Sequence, residues 1–201
     1  MPAGIEVLSL REIGFEHDIE ETGVTLEENS RIKAATVADF ISRVRPASAF
    51  SSRIDGVFAV ETGLEIDALG GKPGVYTARW YLQDEGATEA KTEMENYALN
   101  RAKALRELDG QTNRGCHFRT VITLIWSQES GVRSQESEIQ VEGIVRGRIT
   151  TEEFGEGGFG YDPIFAPEGY DKTFGELPAA IKNNISHRAR ALAELVKVLQ
   201  Q

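Results

Sequence analysis

The chain has 201 residues, and its 22 lysines and arginines against 32 aspartates and glutamates give a formal net charge of −10 at pH 7. This charge argues against broad binding to nucleic acid or to anionic membranes, although a local cationic pocket for a small polyanion is compatible with it. A lone cysteine, Cys116, excludes an intrachain disulfide, and no apolar run approaches the roughly 20 residues that a membrane span needs. Without a signal peptide in the sequence, we expect a cytoplasmic protein.

Local patterns predict one long helix and several short strands in the first half of the chain. Thr25 and Glu28 fit a capping box, in which the two side chains satisfy free backbone donors at a helix start, so a helix is predicted from there to about Ile41. The other predicted elements of this half are a strand at 5–10, a loop at 46–52, a strand at 57–60 that continues at 64–66, and a turn at 70–74.

The second half predicts two helices and a pair of strands. Residues 88–108 have helical spacing, with an inner face formed by Met94, Tyr97, Ala98, Arg101, Ala102 and Leu105. Residues 117–126 and 138–145 predict neighbouring strands, joined by a polar turn region at 128–137. The last helix begins near Ser186, a good N-cap residue, and is expected to bury Leu192, Leu195, Val196 and Leu199. Interleaved strands and helices indicate an α/β fold with a mixed sheet.

A glycine-rich aromatic stretch at 157–165 is the first candidate for a binding site. Its three glycines allow a backbone to approach a flat ligand closely, and Phe159 or Tyr161 could stack on a base. The plain alternative is a glycine-rich hairpin whose aromatic side chains pack in the core. Composition by itself favours that alternative.

Two polar groups are candidates for binding an anion or a metal ion. Residues 182–188, placed at a helix start, gather Lys182, His187 and Arg188 beside free backbone amides, although a solvated basic helix end would have the same pattern. Glu61 ends an apolar strand, where a carboxylate is well placed to hold a hard cation such as Mg²⁺. Because carboxylates are abundant in this chain, solvated charge is the ordinary explanation for any one of them.

Taken in order, these segments resemble the inosine/xanthosine triphosphate pyrophosphatase family, a group of Ham1-like house-cleaning enzymes. The matching segments are 20–23, 28–29, 32–34, 63–71, 73–76, 78–79, 159–163, 173–174, 176–177 and 186–188. They extend over nearly the whole chain, and their common order is more specific than any one of them.

The resemblance implies a single domain over residues 1–201: an elongated mixed β-sheet flanked by helices, in two lobes with a central cleft, usually as a homodimer. It also implies Mg²⁺-dependent cleavage between the α- and β-phosphates of purine nucleoside triphosphates such as dITP, ITP and XTP. The products would be the nucleoside monophosphate and pyrophosphate.

Roles for particular residues follow from the same resemblance. Glu61 would be the catalytic carboxylate and, with Glu21, a metal ligand. The purine would stack on Phe159, and donors at its edge would read the 6-oxo group, where adenine presents an amino donor instead. The implied substrate-binding residues are Lys33, Thr62, Phe159, Gly160, Tyr161, Asp162, Lys182, His187 and Arg188.

Two departures from the family pattern leave the activity open. The family's first strand and its Ser/Thr-x-Asn-x-x-Lys phosphate loop are not found, and a missing central strand would expose sheet edges. Val60 and Glu61 stand where the family has two aspartates, and a misplacement of about 1 Å can cost on the order of 100-fold in rate. The alternatives are a non-catalytic purine-nucleotide-binding or interaction protein that has lost turnover, and a pyrophosphatase with another nucleotide preference.

Overall fold

The computed structural model describes residues 4–44, 54–127 and 137–200. The predicted loop at 46–52 and all but the last residue of the predicted turn region at 128–137 lie outside the described residues. The helices are α1 (Leu26–Val44), α2 (Glu93–Glu107), α3 (Ala179–Ile185) and α4 (His187–Leu199). The strands are β1 (Gly56–Ile66), β2 (Pro73–Gly74), β3 (Gly115–Trp126), β4 (Glu138–Ile149) and β5 (Phe165–Pro167).

The five strands form one sheet in the order β2-β1-β3-β4-β5, which confirms that the two predicted strands of the second half are neighbours. β1 pairs antiparallel with β2, with Leu64 opposite Gly74, and β4 pairs antiparallel with β5, with Gly147 opposite Pro167. A Cβ atom at Gly147 would lie 2.4 Å from the carbonyl oxygen of Ala166, so this pairing requires glycine there. Groups of helices and groups of strands alternate along the chain, and the predicted α/β class is confirmed.

The start of α1 follows from its own sequence. Thr25 Oγ1 accepts a 3.1 Å hydrogen bond from the Glu28 amide, and Glu28 Oε2 accepts one of 3.2 Å from the Thr25 amide. This reciprocal arrangement is the predicted capping box. The helix then continues to Val44, beyond the predicted end at about Ile41.

The strand predicted at 5–10 is wrong, because the structure has no strand there. The backbone hydrogen bonds near it close a turn instead: the Ile13 amide donates to Ser9, and the Phe15 amide donates to Leu10. Gly14 has a φ of 73° within this turn, a conformation that glycine adopts without strain. Ile13 and Phe15 are buried, whereas Ile5, Val7 and Leu10 of the predicted strand are exposed.

Both predicted helix faces in the second half need correction. α2 begins at Glu93 after the N-cap Thr92, later than predicted, and Met94 is 70% exposed. The residues that α2 buries are Asn100, Lys103 and Ala104. Asn100 is drawn inward because its side chain accepts from the Tyr81 amide and donates to the Ala78 carbonyl. On α4, Leu192 is 40% exposed, and Ala191 and Leu195 are buried instead.

The chain divides into two compact units. Unit 1 comprises Met1–Glu61, Val121–Glu142 and Ala191–Gln201, and unit 2 comprises Thr62–Thr120 and Gly143–Arg190. The buried core of unit 1 is formed by Ile122, Leu124, Ala191 and Leu195, and separately by Ile13, Phe15 and Val37. The core of unit 2 includes Leu64, Ile66, Trp80, Leu108, Phe118, Ile164, Phe165 and Phe174. Among the described residues, no helix has both the length and the apolar character needed to cross a membrane.

Candidate functional site

A tight turn in unit 2 presents the ring of Phe159 to solvent. Gly158 and Gly160 on either side of it have φ values of 77° and 59°, which glycine adopts without strain. The Phe159 amide donates a 2.6 Å hydrogen bond to Oδ2 of Asp162, and a Cβ atom at Gly158 would lie 2.1 Å from that oxygen. Phe159 itself is 43% exposed.

Tyr161, two residues later, has the opposite environment. It is 4% exposed within the core of unit 2, and its hydroxyl donates a 3.0 Å hydrogen bond to the Thr77 carbonyl. Burial raises the pKa of this phenol. The glycine-rich hairpin is therefore wrong as a description of this stretch, which is a turn leading into a 3-10 helix at Asp162–Ile164. The expectation that the aromatic side chains pack in the core is confirmed for Tyr161 and wrong for Phe159.

Two cations lie over the exposed ring. Lys182 Nζ is 4.3 Å from the centroid of Phe159, and the Arg188 guanidinium carbon is 4.6 Å from it. Lys182 also forms an ion pair with Asp162. Contrary to prediction, Lys182 is not at a helix start, since it lies within α3. Arg188 is in the first turn of α4, where Ser186 Oγ accepts from the Ala189 amide and confirms the predicted N-cap.

His187, which precedes Arg188 in the chain, is a buried and neutral group. Its side chain is 5% exposed and stacks on Phe118, with ring centroids 4.7 Å apart and an interplanar angle of 22°. Burial, reinforced by the charges of Arg188 and Lys182, lowers the pKa of His187 to about 3. Within the described residues Nδ1 has no hydrogen-bond partner. At neutral pH the imidazole therefore has one ring nitrogen that donates and one that accepts.

A second group of predicted residues meets in unit 1. Lys33 Nζ lies 3.3 Å from Oε1 of Glu21 and forms an ion pair with Glu61, the residue that ends the unit 1 part of β1. The side chains of Lys33 and Glu61 are 23% and 12% exposed. Val60 beside them is 40% exposed and brings no charge.

The chemistry of this group fits a divalent cation. Two carboxylates already face one positively charged atom, and Mg²⁺ is usually bound by one or two carboxylates together with substrate phosphates and water. In the part of the chain that the structure describes, no group of three or more His, Cys, Asp or Glu side chains is arranged to hold a metal ion.

Thr62 follows Glu61 in the chain, but its hydroxyl does not join either group. Thr62 Oγ1 and Thr120 Oγ1 are 2.9 Å apart and share a hydrogen bond in unit 2. The structure thus brings Phe159, Gly160, Asp162, Lys182, His187 and Arg188 together in unit 2. It brings Glu21, Lys33 and Glu61 together in unit 1.

The sequence analysis gave no role in the binding site to three residues that lie at the Phe159 turn or support its neighbours. Arg101 donates to the Gly160 carbonyl, the ring of Tyr97 lies 6.4 Å from that of Phe159, and Phe118 supports His187. The available signal was an arginine at an inner position of the predicted helix, where a charge needs a specific partner.

Comparison with known proteins gives consistent matches over the chain. A family model described as the Ham1 family matches residues 1–198. A curated protein from Chlorobaculum tepidum named dITP/XTP pyrophosphatase is 42% identical over 200 residues, covering 98% of this chain and 82% of that relative. One from Bacillus subtilis with the same name is 42% identical over 201 residues, with 99% and 87% covered. The structure of the Staphylococcus aureus Ham1 protein matches with a TM-score of 0.78 and 33% identity, covering 97% of this chain and 86% of that one.

Proposed function

Because this chain belongs to the Ham1 family, we propose that it is a nucleoside-triphosphate pyrophosphatase that removes dITP, ITP and XTP from the nucleotide pool. Water is added across the phosphoanhydride between the α- and β-phosphates. The products are the nucleoside monophosphate and pyrophosphate.

The observation that carries this proposal is the exposed ring of Phe159 with the cations of Lys182 and Arg188 4.3 and 4.6 Å from its centroid. An exposed aromatic ring is a stacking platform for a base, worth about 1–3 kcal/mol. Lysine and arginine only donate hydrogen bonds, so they match the acceptor at position 6 of hypoxanthine or xanthine. The amino group of adenine would face them without an acceptor, which a hydrogen-bonding site penalises heavily.

The neutral state of His187 supports the same assignment. An imidazole with one donating nitrogen can bond the purine 6-oxo group without adding a third positive charge beside Lys182 and Arg188. Asp162 balances part of the local charge through its ion pair with Lys182, and it holds the Phe159 amide through the same Oδ2 atom.

The acidic group of unit 1 would supply the phosphate chemistry. Glu21 and Glu61 would hold a divalent cation, for which we propose Mg²⁺; when bound, it neutralises phosphate charge and favours attack by water. Glu61 would also orient the attacking water and accept a proton from it. Lys33 would contact phosphate oxygens, for which its ammonium has three donors.

One observation favours a second candidate, a nucleotide-binding protein without turnover. Lys33 is paired with Glu61, the proposed catalytic carboxylate, and the neighbouring Val60 carries no charge. A protein that keeps the Phe159 site but has lost catalysis would bind purine nucleotides and release no product.

The test is pyrophosphate release from ITP, dITP and XTP with Mg²⁺, in parallel with Mn²⁺ and with EDTA, against ATP and GTP. GTP shares the 6-oxo group but carries a 2-amino group, so it shows whether position 6 alone decides selectivity. Glu61→Gln keeps the side chain's size and removes its charge, and we expect a rate loss of at least about 100-fold. Glu194→Gln is the matched control, because Glu194 is a half-exposed carboxylate paired with Lys197 on α4.

Each outcome separates the candidates. Release from the 6-oxo substrates that Glu61→Gln abolishes and Glu194→Gln leaves intact supports the enzyme. No release, together with a raised melting temperature in the presence of ITP, contradicts catalysis and supports the binding protein. Release from ATP at a similar rate contradicts the proposed base selectivity.

A further inference from the structure

Arg101 connects α2 to the turn that presents Phe159. Its Nη1 donates a 3.0 Å hydrogen bond to the carbonyl oxygen of Gly160, and its Nε lies 2.9 Å from Oε1 of Glu153. The Arg101 side chain is 12% exposed, whereas that of Glu153 is 43% exposed. A largely buried guanidinium is therefore placed between the Glu153 carboxylate and the Gly160–Tyr161 peptide.

The turn needs such a contact because its own backbone is permissive. Phe159 lies between two glycines with positive φ, and a Cβ atom at Gly160 would meet nothing within 4 Å. No neighbouring atoms therefore restrict the backbone at Gly160. Because glycine has more backbone freedom than any other residue, ordering this turn requires a contact from outside it. Asp162 holds the Phe159 amide and Arg101 holds the Gly160 carbonyl, so the Phe159–Gly160 segment is held at both of its ends.

A second residue of α2 lies against the same turn. Tyr97, four residues before Arg101 and thus on the same helix face, has its ring centroid 6.4 Å from that of Phe159. Its hydroxyl donates to Glu93 on the same helix, which restrains the ring. The face of α2 formed by Tyr97 and Arg101 thus contacts both the backbone and the side chain of the Phe159 turn.

We propose that Arg101 is a positioning residue for purine recognition: its bond to the Gly160 carbonyl sets the orientation of the Phe159 ring on which the base stacks. This inference rests on the proposed function for the identity of the bound nucleotide, whereas the contact between Arg101 and Gly160 is independent of that function. The polar contacts that place Arg101 are with Gly160 and Glu153, so its loss should weaken nucleotide binding and spare the chemical step.

The test compares Arg101→Gln and Arg101→Lys with the wild-type chain. Losing a hydrogen bond from a charged donor should raise KM for ITP about tenfold in Arg101→Gln, with kcat within about twofold. Arg101→Lys keeps the positive charge, so its KM for ITP should lie between those of the wild type and Arg101→Gln. Arg106→Gln is the matched control, since Arg106 is on the same helix, is 58% exposed and pairs with Asp84. It should leave both constants unchanged.

A second measurement needs no substrate. Hydrogen–deuterium exchange in the peptide covering 155–162 should become faster in Arg101→Gln and stay at the wild-type rate in Arg106→Gln. Lower kcat with unchanged KM, or unchanged exchange in this peptide, would overturn the positioning role. If the wild-type chain hydrolyses none of the 6-oxo nucleotides, the proposed function fails, and the exchange result still decides the role of Arg101 in holding the turn.

Discussion

At the scale of single residues, His187 shows how burial and neighbouring cations select a protonation state. Its pKa falls from the usual 6.5 to about 3, because burial and the charges of Arg188 and Lys182 disfavour the imidazolium. Between these two values the unfolded chain binds a proton at this site and the folded chain does not. Protonation therefore favours the unfolded chain, and folding stability from this residue is lost as the pH falls from about 6.5 towards 3.

His187→Gln should make the protein less sensitive to acid. We expect the wild-type melting temperature to decline more steeply than that of His187→Gln between pH 6.5 and pH 4, because glutamine takes up no proton. Differential scanning calorimetry at several pH values measures this slope. His17→Gln is the control, since His17 is exposed. Equal slopes for His187→Gln and wild type would contradict a neutral, buried His187.

At the scale of elements, a buried hydroxyl joins α1 to the sheet close to the acidic group. Ser30 is 0% exposed; its Oγ donates a 3.0 Å hydrogen bond to the Ala59 carbonyl of β1 and accepts one of 3.0 Å from the Thr123 amide of β3. Ser30 precedes Lys33 by one helical turn, and Ala59 precedes Glu61 by two residues. One side chain thereby links the elements that position the Lys33–Glu61 ion pair.

Ser30→Ala tests this link. Removing one partner of buried hydrogen bonds costs about 1–3 kcal/mol, so we expect the free energy of unfolding in urea to fall by that amount. The rate of pyrophosphate release should also fall, because α1 and β1 lose a shared restraint. Thr36→Ala serves as the control on the same helix, since Thr36 Oγ1 is exposed and donates to the carbonyl of Ile32 in α1. A Ser30→Ala protein as stable as Thr36→Ala would refute the link.

At the scale of the whole molecule, the units share three strands and a helix. β1, β3, β4 and α4 each begin in one unit and end in the other, although each unit has its own apolar core. The two tryptophans report on the units separately. Trp80 is 2% exposed in the core of unit 2, and Trp126 packs against the Ile122 cluster of unit 1.

Cooperative unfolding is expected from these shared elements. A strand cannot lose its ladder in one unit without weakening the part that continues into the other, so both tryptophans should report the same urea midpoint. The measurement uses Trp126→Phe, which leaves Trp80 as reporter, and Trp80→Phe, which leaves Trp126, each compared with circular dichroism of the same variant. Two separated midpoints within either variant would show that the units unfold independently.

The homodimer stays a prediction that sedimentation equilibrium can test.

Local signals in the sequence determined much of the fold and the family. The Thr25–Glu28 capping box, the β-branched runs of β3 and β4 and the Ser186 N-cap involve residues only a few positions apart. Their hydrogen bonds and periodicity are encoded locally, which explains why they could be predicted. The ordered motifs identified the family by the same route, since they need no knowledge of contacts.

Tertiary contacts decided which of the predicted residues are exposed and which are buried. The composition of the 157–165 stretch does not show which of its aromatic residues is buried. Tyr161 is buried because it packs in the core and its hydroxyl bonds to the Thr77 carbonyl, whereas Phe159 is exposed. Asn100 belongs to the inner face of α2 because its side-chain amide bonds to Tyr81 and Ala78, which lie about 20 residues away in the sequence. Arg101 bonds to the carbonyl of Gly160, which lies 59 residues further along the chain. Such pairings depend on the energy of contacts between distant residues, which local sequence patterns do not contain.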